Sequence, residues 1–248
     1  DQNRSTGILG SIEVPLGLGL LRLSTDDRPD DIDALAIIRL ALNQGIRILD
    51  TADSYSLGQD DMHYGEHPVR QALKSWKGPK DEVRVLTKVG LTRPNGKWIP
   101  NGRPGHLRAA VDGSLQALGV ERLFLLQLHV RDPHVPFEET LQVLAELQSE
   151  GKTEHLGLCN VSMGELAQAQ RYFTVAAVQN ELSVLNRKNA TDGMLALTRS
   201  QGIVFLAHRP LGGYGKVAEL AQSPILVPLA QRHQATVHEI ALAALLDA

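Results

Sequence analysis

Four side chains able to donate, accept or steer a proton stand at the ends of apolar runs in this chain. Asp50 and Tyr55 lie in ILDTADSY, Lys88 in VRVLTKVG and His129 in LFLLQLHV. A tyrosine titrates near ~10 in water, so at neutral pH it holds a proton it can give away. A nearby ammonium lowers that pKa and stabilises the phenolate left behind. Lys88 could supply the charge, with Asp50 holding it through a salt bridge. His129 could hydrogen-bond and orient the oxygen being protonated. Such a group can protonate a carbonyl oxygen while hydride reaches the carbonyl carbon.

These side chains need a scaffold that brings separate strand ends to one rim. Short apolar, β-branched runs alternate with amphipathic segments, the pattern of repeated βα units and a parallel sheet. After a Gly-rich opening (VPLGLGLL), strands are expected at 46–50, 83–89, 123–129, 154–159, 175–180 and 203–207. Helices are expected at 30–44, bounded by Pro29 and Gly45, and at 66–77, 105–118, 137–150 and 192–201. Ser162 and Glu165 have the spacing of a capping box, as do Thr236 and Glu239, so the last helical block (225–246) should break near 234–236. The expected fold is an α/β (β/α)₈ TIM-type barrel, a single domain over 1–248, with seven units visible. The eighth strand and helix are absent from the given chain. Residues 91–103, rich in Gly, Pro and Asn, read as a long loop over the carboxyl end of the barrel.

In these contexts the chain resembles the aldo-keto reductase family. DTADSY followed by YGE, then LTKVG, then LQLH match that family's Asp, Tyr, Lys and His in order, at Asp50, Tyr55, Lys88 and His129. The likeness extends through HLGLCN, VQNELS and AHRPLGG, from about residue 14 to residue 246. It implies NADPH as cofactor, a small-molecule carbonyl substrate and Tyr55 as proton donor. By the same resemblance, Asn160 and Gln179 orient the nicotinamide carboxamide, and His208 packs on its ring. Pro210, Leu211 and Gly213 would form the adjoining cofactor loop. The family's Ser-Asn pair reads here as Cys159-Asn160. Two departures stand out: His208 occupies a position where the family carries Tyr, Trp or Phe, and the family's grip on the adenosine 2′-phosphate lies in a last strand and helix not present in the given chain.

Other readings narrow the field. Gly17-x-Gly19 lacks the third glycine and following helix of a dinucleotide fingerprint and reads as an entry strand. His63-x-x-x-His67 has helical metal-ligand spacing, but Pro68 follows and no third ligand is in view, so no metal is expected. Cys159 reads as a small buried group rather than a reactive thiol. A net charge of −3 has no basic excess to favour nucleic acid or acidic membranes. No run approaches the ~18 apolar residues of a membrane span. A single cysteine excludes an internal disulfide. The polar opening DQNRSTG does not read as a secretion signal, so a cytoplasmic protein is expected. Oligomeric state stays open. Two alternatives share the fold: a cofactor-independent proton-transfer enzyme of dehydratase or isomerase type, and a non-catalytic, cofactor-sensing regulatory subunit.

Overall fold

Helix starts and stops follow local chemistry closely. Asp30 accepts from the backbone N–H of Asp33 at 2.9 Å and opens α1 (Asp31–Asn43), whose first turn carries Asp31 and Asp33 toward the positive end of the helix dipole. Ala34, Ile38 and Leu42, four residues apart, form its buried stripe. Burying each of the larger two is worth about 1.5–3 kcal/mol. Gly45 turns the chain at φ 89°. Helix α2 spans His67–Ser75, and α3 (Pro104–Leu118) has proline at its start and Gly119 at φ 68° at its end. Helix α4 spans Phe137–Ser149. The Ser162–Glu165 capping box forms and opens α5 (Met163–Ala169).

The computed structural model describes residues 7–10, 12–213 and 215–247. The opening residues 1–6, part of the segment read as lacking a secretion signal, lie outside them. No helix among the described residues is long and apolar enough to cross a membrane.

The chain divides into two compact units, Asp1–Ala176 and Ala177–Ala248. In the first, β1 (Gly17–Gly19), β2 (Ile48–Asp50), β3 (Arg84–Val89), β6 (Leu123–Leu128) and β7 (Thr153–Cys159) pair side by side, all parallel. Parallel strands covered on both faces are nearly continuous apolar runs, and β6 reads LFLLQL, with Gln127 its one polar residue and only Phe124 half-buried. Register carries the polar residues to one end: Asp50 lies opposite Leu86, and Lys88 opposite Gln127. Gly17 permits the close start of β1, since a Cβ there would come within 3.0 Å of Ile48.

Residues 91–103 depart from expectation. They hold a two-stranded antiparallel ladder, β4 (Leu91–Thr92) with β5 (Ile99–Pro100), around a turn at Pro94–Gly96. Asn95 (φ 51°) and Gly96 (φ 74°) supply the left-handed backbone that turn needs.

In the second unit, β8 (Val175–Glu181, beginning just before the boundary) pairs in parallel with β9 (Val204–His208). The helix expected over 192–201 is α7 (Met194–Ser200), entered through Gly193 at φ 95°, and a further short helix, α6 (Lys188–Thr191), precedes it. After α8 (Val217–Ala221), α9 (Leu226–His233) stops at left-handed Gln234, and the Thr236–Glu239 capping box opens α10 (Val237–Leu246). The break thus falls where the sequence places it.

Candidate active site

The end of β2 and the end of β3 are neighbours, so Asp50 and Lys88 face each other across one strand spacing. Lys88 donates to both carboxylate oxygens of Asp50, at 2.8 and 2.9 Å, and to the Thr51 carbonyl at 2.8 Å. It also donates to the phenol oxygen of Tyr55 at 3.1 Å. Lys88 is 2% exposed. Burial alone would pull its pKa down, but the Asp50 carboxylate and Tyr55 hold it above the ordinary lysine value. Lys88 is therefore a fixed ammonium.

For Tyr55 the outcome differs from expectation. Burial pushes its pKa up to about 12, outweighing the lowering by Lys88. The sequence shows an adjacent ammonium but not the loss of water around the phenol. The consequence is a phenol protonated at neutral pH, whose oxygen already accepts from Lys88 and whose own proton can point elsewhere.

Two further segments hold the Tyr55 loop. Gly65, in YGE, donates its N–H to the Tyr55 carbonyl at 2.9 Å and accepts from Thr51 Oγ1 at 2.8 Å. A Cβ on Gly65 would come within 2.8 Å of the Tyr55 Cβ, so only glycine allows this approach. His129 follows β6; its N–H donates to the Val89 carbonyl at 2.8 Å. Its ring stands edge-on to Tyr55 at 5.8 Å, and Nδ1 lies 3.3 Å from Ser54 Oγ. Asn160, at the end of β7 with φ 57°, donates from Nδ2 to the His129 carbonyl at 3.0 Å. Cys159 is buried and its thiol is pushed up to about 12 by burial, so it is an inert small group. The structure thus brings Asp50, Tyr55, Lys88, His129 and Asn160 together.

Two features here are not apparent from the sequence. Trp98 stands edge-on to both Tyr55 and His129 at 6.3 Å, with Arg93 stacked on it. Behind the strand ends lies a second buried acidic group, Asp53 and Glu66. Glu66, fully buried, accepts from Thr87 Oγ1 at 2.6 Å and pairs with His63 Nδ1 at 2.8 Å. His63 is left-handed (φ 69°) and precedes the helix, so the i, i+4 metal spacing with His67 does not exist in the fold. Among the described residues no group of three or more His, Cys, Asp or Glu side chains is placed to hold a metal.

In the second unit, Gln179 is buried within β8, and His208 ends β9. Arg209 (φ 51°) begins a tight turn through Pro210 and Leu211, closed by the Gly212 N–H on the Arg209 carbonyl at 2.8 Å. Gly213 continues it at φ 81°. The Leu211 side chain packs on the cluster of Leu220, Leu226 and Ala241, so its backbone is what it can offer a ligand.

With this geometry in hand, comparison with known proteins decides the family. The sequence matches the aldo/keto reductase family over residues 15–244. The chain belongs to it. An uncharacterized oxidoreductase of Schizosaccharomyces pombe is 36% identical over 202 residues, covering 79% of this chain and 62% of the relative. Pyridoxine 4-dehydrogenase of Escherichia coli is 33% identical over 221 residues, covering 86% and 72%. The solved glycerol dehydrogenase of Gluconobacter oxydans superposes with a TM-score of 0.79 at 25% identity, covering 98% of this chain and 84% of that one. The chain thus spans less than two thirds of the first of these relatives. Aldo-keto reductases have the (β/α)₈ barrel fold and use NAD(P)H.

Proposed function

We propose that this aldo-keto reductase reduces an aldehyde or ketone to an alcohol, with Tyr55 as proton donor and NADPH as cofactor. One observation carries the reading: a single buried ammonium, Lys88, touches the Asp50 carboxylate and the Tyr55 phenol oxygen at once.

NADPH, when bound, supplies hydride to the carbonyl carbon. The residues present fit its nicotinamide by their chemistry: Asn160 and Gln179 offer amides to a carboxamide, and His208 offers a flat ring. The Pro210–Gly213 turn, with left-handed Gly212 and Gly213, offers backbone without crowding. The chain's own part is proton delivery. Tyr55 gives its proton to the carbonyl oxygen, Lys88 stabilises the phenolate that forms, and Asp50 keeps Lys88 charged and aimed. His129, edge-on to Tyr55, orients the oxygen.

The test is direct. Purified protein is mixed with NADPH or NADH and a generic aromatic aldehyde, and loss of the reduced nicotinamide absorbance is followed. The name of the Escherichia coli relative adds pyridoxine as an alcohol for the reverse direction. Faster turnover with NADPH supports the proposal. Cofactor binding without turnover of any carbonyl or alcohol would overturn it in favour of a sensor. Absence of cofactor binding would point to a cofactor-free enzyme.

A further inference from the structure

Arg93 is an anomaly beside the candidate site. It is 1% exposed, yet its Nε and Nη1 meet no hydrogen-bond acceptor among the described residues. One bond is made, from Nη2 to the Ser56 carbonyl at 3.0 Å. A guanidinium carries five N–H donors, and burying them without acceptors or a counter-ion is costly. No carboxylate forms an ion pair with it among the described residues; Asp26 acts on it only through its charge. Such an uncompensated group calls for a reason beyond packing.

Its position suggests one. Ser56 adjoins Tyr55 in sequence. The guanidinium lies 3.7 Å over the Trp98 ring, and that indole stands edge-on to both Tyr55 and His129. Trp98 is 42% exposed and sits on the β4–β5 hairpin, so it is the accessible cover between solvent, the proton donor and the cation. Arg93 is thus one indole away from where a carbonyl oxygen would be protonated.

We propose that Arg93 is a specificity-determining residue that binds a carboxylate on the far side of the substrate from its carbonyl. Trp98 shifts to admit that group. The preferred substrates are then aldehydes or ketones bearing a carboxylate, held by charge-assisted hydrogen bonds to Nε and Nη1. This rests on the reductase reading, so one arm of the test is independent of turnover.

In a Trp76→Phe background Trp98 is the sole tryptophan, and its emission is followed on titration with benzoate and with neutral benzamide. Benzoate should change the emission saturably and benzamide should not. Arg93→Gln should weaken benzoate by about tenfold or more. In the second arm, kcat/KM for 4-carboxybenzaldehyde should exceed that for methyl 4-formylbenzoate by about tenfold or more. Arg93→Gln, shown to be folded by its thermal melt, should erase the ratio. Equal responses to benzoate and benzamide, or equal kcat/KM for the two aldehydes in the unmutated protein, would overturn the proposal even if Arg93→Gln cannot fold. Benzoate binding that needs Arg93, with no aldehyde turned over, would sink the reductase reading and leave the anion site standing.

Discussion

Asp50 and Asp53 are three residues apart on one strand end, and the fold treats their charges in opposite ways. Asp50 receives two hydrogen bonds from Lys88 and remains partly exposed. Asp53 is fully buried, its two oxygens have no well-formed hydrogen bond among the described residues, and Glu66 lies close by. Burial first and the Glu66 charge second push its pKa up to about 8, against smaller lowering by His63 and Ser54. One carboxylate is met by an ammonium at the strand end. The other is kept protonated beneath it. A compensated charge can anchor a proton-transfer group; an uncompensated one becomes a pH-sensitive weakness in the scaffold.

The contrast can be broken most severely at Lys88. Lys88→Met leaves Asp50 facing an apolar side chain and Tyr55 without its ammonium. Turnover should fall by about 10²–10⁴, and stability by about 3 kcal/mol, the low end for breaking a buried pair because Asp50 is partly exposed. Steady-state kinetics and denaturant unfolding check the two effects separately.

Asp53→Asn should act in the reverse sense. Because the folded-state pKa is raised, the folded protein holds a proton that the unfolded chain releases between about pH 4 and pH 8. Stability should therefore fall as pH rises through that window, by on the order of a few kcal/mol. The asparagine variant should lack this fall and be the more stable protein at pH 8. Melting temperatures of both proteins across the window decide it; parallel curves would contradict the assignment.

Glu66→Gln sharpens the same point. It removes the like charge beside Asp53 and the ion pair with His63. A loss of about 1–3 kcal/mol is expected, together with a shallower pH dependence of stability. The smallest effect is expected for Thr87→Val, which deletes one hydrogen bond to Glu66. About 1–2 kcal/mol, read by denaturant unfolding, is the anticipated cost.

Much of the rim is legible in the sequence. Asp50, Lys88 and His129 each end an apolar run, and parallel pairing of successive runs brings their ends together. Capping residues were equally readable: Ser162 with Glu165 and Thr236 with Glu239 start their helices where their spacing says. The illegible parts depend on tertiary burial. Nothing in DTADSY distinguishes the carboxylate that finds a lysine, Asp50, from the one buried beside Glu66, Asp53. The rise in the Tyr55 pKa comes from burial of the phenol, which the residues flanking Tyr55 do not reveal. Pro94-Asn95-Gly96 reads as loop, yet it turns a hairpin that carries Trp98 against Tyr55 and His129. His63 and His67 have helical spacing on paper, and a single left-handed residue removes it.

The most direct test of the account is Tyr55→Phe assayed beside the unmutated protein, with cofactor affinity measured on both. Loss of the phenol oxygen should lower aldehyde reduction by about 10²–10⁴ while NADPH still binds. Undiminished turnover in a folded Tyr55→Phe protein would show that the proton comes from another group and would contradict the account.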